Sequence, residues 1–135
     1  MAHDRQHGTI LLVDDNIDIC RLTRFFLEQA GYAVVTVSDG EEGLRFYQEH
    51  RSSIILLLTD VVMPNMGGIE LANRVQGIDS QLPVLLMSGN TDGSYRGQEF
   101  LLKPFRPAEL IEVVSRVLSA HRESGSISSA TRAGA

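Results

Sequence analysis

Three apolar runs in this chain stop at charged residues. Ile10-Leu11-Leu12-Val13 ends at Asp14-Asp15, Ile54 to Thr59 ends at Asp60, and Phe100-Leu101-Leu102 ends at Lys103. Short runs rich in Val, Ile and Leu, without polar alternation, are the pattern of strands buried on both faces, and such strands belong to parallel sheets. A parallel sheet brings the carboxyl ends of its strands to one edge, so three carboxylates and one ammonium are expected to share a pocket there.

Between these runs lie helical patterns. The reading in order is strand 9–13, helix 16–30, strand 32–37, helix 39–49, strand 54–59, helix 67–76, strand 83–88, strand 99–103 and helix 107–121. Strand-helix alternation implies an α/β fold, a doubly wound parallel sheet with helices on both faces, because each right-handed crossover lays its helix on a face. In the first helix Ile19, Leu22, Phe26 and Ala30 make the expected buried stripe, with Cys20 and Phe25 off it and Gly31 as the stop. Asp39 and Glu42 fit a capping signature ahead of the second helix, although Gly40 and Gly43 weaken its propensity. Pro107 suits the first turn of the last helix, whose stripe is Leu110, Ile111, Val114, Val117 and Leu118. Arg106 stands where a Ser, Asp or Asn cap is more usual. The segment from Ser88 to Gln98 carries Gly89, Gly93 and Gly97, with Tyr95 its one sizeable apolar group. It is near the minimum length for a parallel crossover, so the helix expected there is shortened to one turn or absent.

A chain of 135 residues is one ordinary domain. Its single cysteine, Cys20, has no internal disulfide partner, and no apolar run approaches a membrane span. With a net charge of -5 and no basic cluster, it lacks the electrostatic footprint of direct nucleic-acid binding. Residues 1–8 are polar and unlike a secretory signal, and residues 122–135 are Ser, Ala, Gly and Arg rich. Both ends are read as disordered tails, the second as a possible truncated linker, around a domain spanning 9–121. A cytoplasmic location is the expectation.

Ligands of open parallel sheets bind at the carboxyl ends of strands where the strand order reverses, which draws Asp14, Asp15 and Asp60 together. Two carboxylates about 4 Å apart repel by about 4 kcal/mol at an effective dielectric near 20, so the cluster calls for a cation. Mg2+ suits it, taking oxygen ligands and keeping waters beside one or two carboxylates and a phosphate. A carboxylate can also attack phosphorus if positive charge and donors meet the phosphoryl oxygens. Lys103 supplies the charge and Ser88 a hydroxyl on the opposite side.

Four segments in order, Val13-Asp14-Asp15-Asn16, Asp60-Val61-Val62-Met63-Pro64-Asn65-Met66-Gly67-Gly68, Ser88-Gly89 and Phe100-Leu101-Leu102-Lys103-Pro104-Phe105, resemble the receiver domain of two-component response regulators, with some likeness to receivers of hybrid histidine kinases. The resemblance covers Thr9 to His121. It implies a flavodoxin-like five-stranded sheet of order 2-1-3-4-5, with Asp60 as phosphoacceptor and Asp14 and Asp15 holding Mg2+ together with Asp60 and the Val62 carbonyl. It further implies that Lys103 pairs with the phosphoryl group, that the bond before Pro104 is cis, and that Ser88 and Phe100 form the switch. The implied partner is a histidine kinase or histidine phosphotransfer protein. The chain then acts as a self-phosphorylating switch and not a metabolic enzyme, as a monomer or a weak dimer that does not use the usual fourth-helix face.

Two other classes compete. A phosphohydrolase with Asp60 as nucleophile would want a general acid two residues on, where this chain has Val62. A receiver-like module acting by binding alone would not need the full acidic set. Phe25 is read as a partner contact or as a half-buried aromatic, Cys20 as a packing residue, and Met63 and Met66 as loop packing. His3, His7, His50 and His121 show no ligand spacing.

Overall fold

The structure, a computed structural model, describes residues 8–89 and 98–134, with side chains as far as His121. Five parallel strands form one sheet in the order β2-β1-β3-β4-β5, with β1 Thr9–Val13, β2 Ala33–Val37, β3 Ile54–Asp60, β4 Val84–Ser88 and β5 Glu99–Leu102. The helices are α1 Ile17–Gln29, α2 Gly40–His50, α3 Gly68–Ile78 and α4 Pro107–Gly134, with a 3-10 turn at Arg51–Ser53. The expected flavodoxin-like order is therefore the one observed. The shortened or absent helix falls on residues 90–97, which lie outside the described residues, as do residues 1–7.

Alternate residues of the central strands face opposite layers, and both layers are built of buried apolar side chains. Ile10, Leu12, Leu56, Leu58, Leu85 and Met87 pack with Leu27 of α1 and Leu110 and Val114 of α4. Leu11, Val13, Leu57 and Leu86 pack with Tyr47 of α2 and Leu71, Ala72 and Val75 of α3. Burial on both faces explains why these strands read as unbroken apolar runs.

The helix ends follow their local chemistry. Asn16 Oδ1 accepts the Ile19 N–H at 3.0 Å to start α1. Asp39 Oδ1 accepts the Glu42 N–H at 2.8 Å, which is the cap expected from the sequence, and Glu42 Oε1 reaches back past the cap residue to accept the Ser38 N–H at 3.1 Å. At α4 the Glu109 carboxylate accepts the Arg106 N–H at 3.3 Å, so an acid in the first turn supplies part of what the arginine cannot.

Three expectations need correction. In α1 the buried face is Cys20, Thr23 and Leu27, whereas Leu22 is 56% exposed. Of the expected stripe, Phe26 and Ala30 are partly buried and pack against the core, and only Leu22 turns out to solvent. Gly8, assigned to the amino-terminal tail, is buried against the Ile55 side chain. The last helix does not stop at His121 but runs to Gly134. The packed turns around Leu110 and Val114 provide the nucleus, and residues 122–134 contain no proline to end propagation. Among the described residues, no helix is long and apolar enough to cross a membrane.

Candidate functional site

The carboxyl ends of β1, β3 and β5 bring the candidate residues together as the topology requires. Asp14 follows β1, Asp60 closes β3 and Lys103 follows β5. The Lys103 ammonium lies 3.0 Å from Asp14 Oδ2 and 3.1 Å from Asp60 Oδ1, bridging two carboxylates from different strands. Asp14 and Asp60 are buried and Asp15 is exposed, and oxygens of all three lie within 4.8 Å of one another.

Backbone bonds fix each position. The Asn16 N–H donates to Asp14 Oδ1 at 2.9 Å, setting that carboxylate while its other oxygen faces Lys103. The Val61 N–H donates to the Met87 carbonyl at 2.9 Å, extending the β3–β4 ladder just past Asp60. The Lys103 N–H donates to the Ser88 carbonyl at 2.8 Å, which ties the ends of β4 and β5 together. The Lys103-Pro104 bond is cis.

Burial pushes the Asp60 carboxyl above its usual range, and Asp14 and Asp15 push it the same way, against the pull of Lys103. Burial also acts to lower Lys103, but Asp14 and Asp60 outweigh it and leave the ammonium raised. The three carboxylates thus carry more negative charge than one lysine neutralises. The donor set is all oxygen, partly buried, and open at Asp15, which fits a hard divalent cation that keeps several waters.

Ser88 is buried at the end of β4. Phe100 is partly buried against the layer that holds α2 and α3. Its strand pairs Leu86 with Phe100 and Ser88 with Leu102, so Ser88 and Phe100 share one face of adjacent strands. Val62 is 74% exposed beside the acidic cluster. Met63 and Met66 are buried, as loop packing requires.

On α1, Phe25 is 53% exposed and meets Phe26 edge-on at 5.6 Å. Ile17 and Leu22 are exposed on the same helix; Leu22 was expected in the buried stripe, and Ile17 was not singled out in the sequence. A cleft of about 270 Å³ opens beside Asp14, lined by Ile17, Arg21 and Arg24 of α1 and by Val37, Ser38 and Glu42. Cys20 lies at the same cleft, and burial holds its thiol above the usual range, which suits packing and not reactivity.

Comparison with known proteins gives the family of this chain. The sequence pattern of the response regulator receiver domain matches residues 10–115. The response regulator receiver protein CpdR of Brucella abortus is 38% identical over 118 residues, covering 82% of this chain and 97% of CpdR. The uncharacterized transcriptional regulatory protein YkoG of Bacillus subtilis is 33% identical over 127 residues, covering 89% of this chain and 54% of YkoG. The chain thus spans about half the length of YkoG, and likewise 48% of the regulatory protein PhoP from the same organism. Among solved structures, the receiver domain of the hybrid histidine kinase CckA superposes with a TM-score of 0.73 at 34% identity, covering 82% of this chain and 99% of that one. The chemotaxis protein CheY4 of Vibrio cholerae gives 0.74 at 33% identity, with 82% and 98% covered. With the family pattern matched over residues 10–115 and a receiver protein 38% identical over 118 residues, this chain belongs to the receiver domains of two-component response regulators.

Proposed function

We propose that Asp60 accepts a phosphoryl group from a phosphohistidine donor and that the resulting aspartyl-phosphate switches the domain between partner-binding states. The observation that carries this reading is the Lys103 bridge between Asp14 and Asp60 within a cluster of three carboxylates. A buried carboxylate at a strand end, flanked by an ammonium, is a nucleophile whose product charge has a partner already in place.

In the transfer, an Asp60 oxygen forms the new O–P bond as the N–P bond of the donor imidazole breaks, and the electron pair leaves with the imidazole nitrogen. Lys103, 3.1 Å from Asp60, turns to the phosphoryl oxygens. Asp14, Asp15 and Asp60, with the Val62 carbonyl, would hold Mg2+. When bound, that ion neutralises the acidic cluster and the incoming phosphoryl oxygens. The Ser88 hydroxyl moves toward the added phosphoryl group, and Phe100, on the same face of the neighbouring strand, follows it. One covalent charge thus biases a two-state element.

The donor we assign is a histidine kinase or a histidine phosphotransfer protein, docking on α1 through Phe25 with Ile17 and Leu22. Exposed apolar side chains on one helix beside the reaction centre support that surface. Val62 offers no acid or base where a turnover phosphohydrolase would need one, which favours a switch over a hydrolase.

Incubation with acetyl phosphate and Mg2+, followed by intact mass measurement, tests the reading. One added phosphoryl group on the wild type and none on Asp60→Asn is the expected result. An unchanged wild-type mass, with no binding of beryllium fluoride, overturns it.

A further inference from the structure

The start of α2 supplies no side chain to the acidic cluster, yet it fixes the loop that leaves Asp60. Gly40 and Gly43 weaken the helix locally, and both are buried. A Cβ on Gly40 would sit 2.5 Å from the Met66 carbonyl oxygen and 2.9 Å from Met66 Cβ. The first neighbour is backbone and cannot rotate aside, so only a bare glycine lets α2 approach this closely. One turn on, a Cβ on Gly43 would lie 3.1 Å from a methyl group of Val13, the residue before Asp14.

The same loop is seated at its other end. A Cβ on Gly68 would overlap the Asp60 carbonyl oxygen, and the Gly68 N–H donates to the Val61 carbonyl at 2.9 Å. Between these seats the chain turns through Asn65 at φ 69 and buries Met63 and Met66. Residues 61–67 are therefore clamped between the amino ends of α2 and α3. Asp39 caps the Glu42 N–H and the Glu42 carboxylate holds the Ser38 N–H, which pins the α2 end.

We infer that Gly40 is a positioning residue for phosphoryl transfer. Through Met66 it sets the loop that carries the Val62 carbonyl and follows the Asp60 carboxylate, so a side chain at position 40 moves the reacting groups without touching them. This rests on the phosphoryl-transfer reading.

The test compares wild type with Gly40→Ala, Gly77→Ala and Val117→Ala. Position 77 has open space around a Cβ, and Val117 is a buried residue of α4 in the opposite layer. Three quantities are measured: amide hydrogen exchange of residues 61–67 in metal-free protein, Mg2+ affinity by calorimetry, and the rate of phosphoryl uptake from acetyl phosphate. Gly40→Ala is expected to exchange faster over 61–67, to bind Mg2+ more weakly, and to take up phosphoryl groups about tenfold to a hundredfold more slowly, since a misplacement of about 1 Å at a reacting centre costs about a hundredfold. Gly77→Ala should match wild type in all three. Val117→Ala should lose stability while keeping its uptake rate.

Asp39→Ala, which loosens the α2 start without adding a side chain, should shift exchange and affinity in the same direction, and it decides the matter if Gly40→Ala does not fold. Wild-type exchange and uptake in Gly40→Ala, or an equal loss of uptake in Val117→Ala, would overturn the inference. If the wild type takes up no phosphoryl group, the functional reading fails instead, and the exchange comparison still decides whether Gly40 seats the loop.

Discussion

Replacing Lys103 by alanine asks how the acidic cluster survives without its shared cation. The ammonium sits 3.0 Å from Asp14 and 3.1 Å from Asp60, with only 18% of its side chain exposed. At an effective dielectric of about 20 each contact is a gross attraction of about 5 kcal/mol, part of which is offset by desolvation of the ammonium. Without it, two buried carboxylates remain within 4.8 Å and repel by at least about 3.5 kcal/mol on the same scale.

The loss has a ceiling, because a carboxyl can take up a proton. Starting from an ordinary value near 3.9, that costs about 4 kcal/mol at pH 7 and about 1.5 kcal/mol at pH 5. In the variant the folded pKa of Asp60, already raised by burial, rises further. Such a group contributes stability that is fully present below its unfolded pKa and lost as pH rises through the folded one. Lys103→Ala should therefore trail wild type by up to about 4 kcal/mol at pH 7, with the gap shrinking to about 1.5 kcal/mol or less at pH 5. Urea unfolding in the presence of a chelator, at both pH values, reads this directly. A gap that is absent at pH 7, or the same at both, refutes the electrostatic account.

Three other substitutions separate charge, core and surface. Metal-free Asp60→Asn should be at least as stable as wild type at pH 7, since burial disfavours the ionised form first of all and each unit of upward shift is worth about 1.4 kcal/mol; thermal melts with chelator check the sign. Leu110→Ala removes a fully buried side chain from the α1–α4 layer and should cost about 2–5 kcal/mol by urea titration. Phe25→Ala should leave stability within about 0.5 kcal/mol and phosphoryl uptake from acetyl phosphate unchanged, while slowing transfer from a phosphotransfer protein in a rapid-mixing assay. Equal slowing with both donors would remove Phe25 from the docking surface.

The charged residues at the strand ends were legible because their strands are buried on both faces, so the point where an unbroken apolar run gives way to Asp60 or Lys103 marks the sheet edge. The face of α1 was less so. Thr23 and Cys20 turn inward beside Leu27 while Leu22 stays outside, and a hydrophobicity pattern ranks Leu22 above Thr23 for burial. Gly40 and Gly43 counted only against α2 until Met66 and Val13 were seen against them. Residues 122–134 look unable to order themselves because they have little to bury, but a packed helix upstream removes the cost of nucleation. The cap at Arg106 came from Glu109, three residues inside the helix.

The most direct test of the account is the identity of the phosphorylated residue. After reaction with acetyl phosphate and Mg2+, reduction of the acyl phosphate with labelled borohydride and peptide mapping locate the modified side chain. The account predicts the label on Asp60 alone, and none when Mg2+ is withheld. Label on Asp14 or Asp15, or undiminished label on Asp60 without the ion, would contradict it.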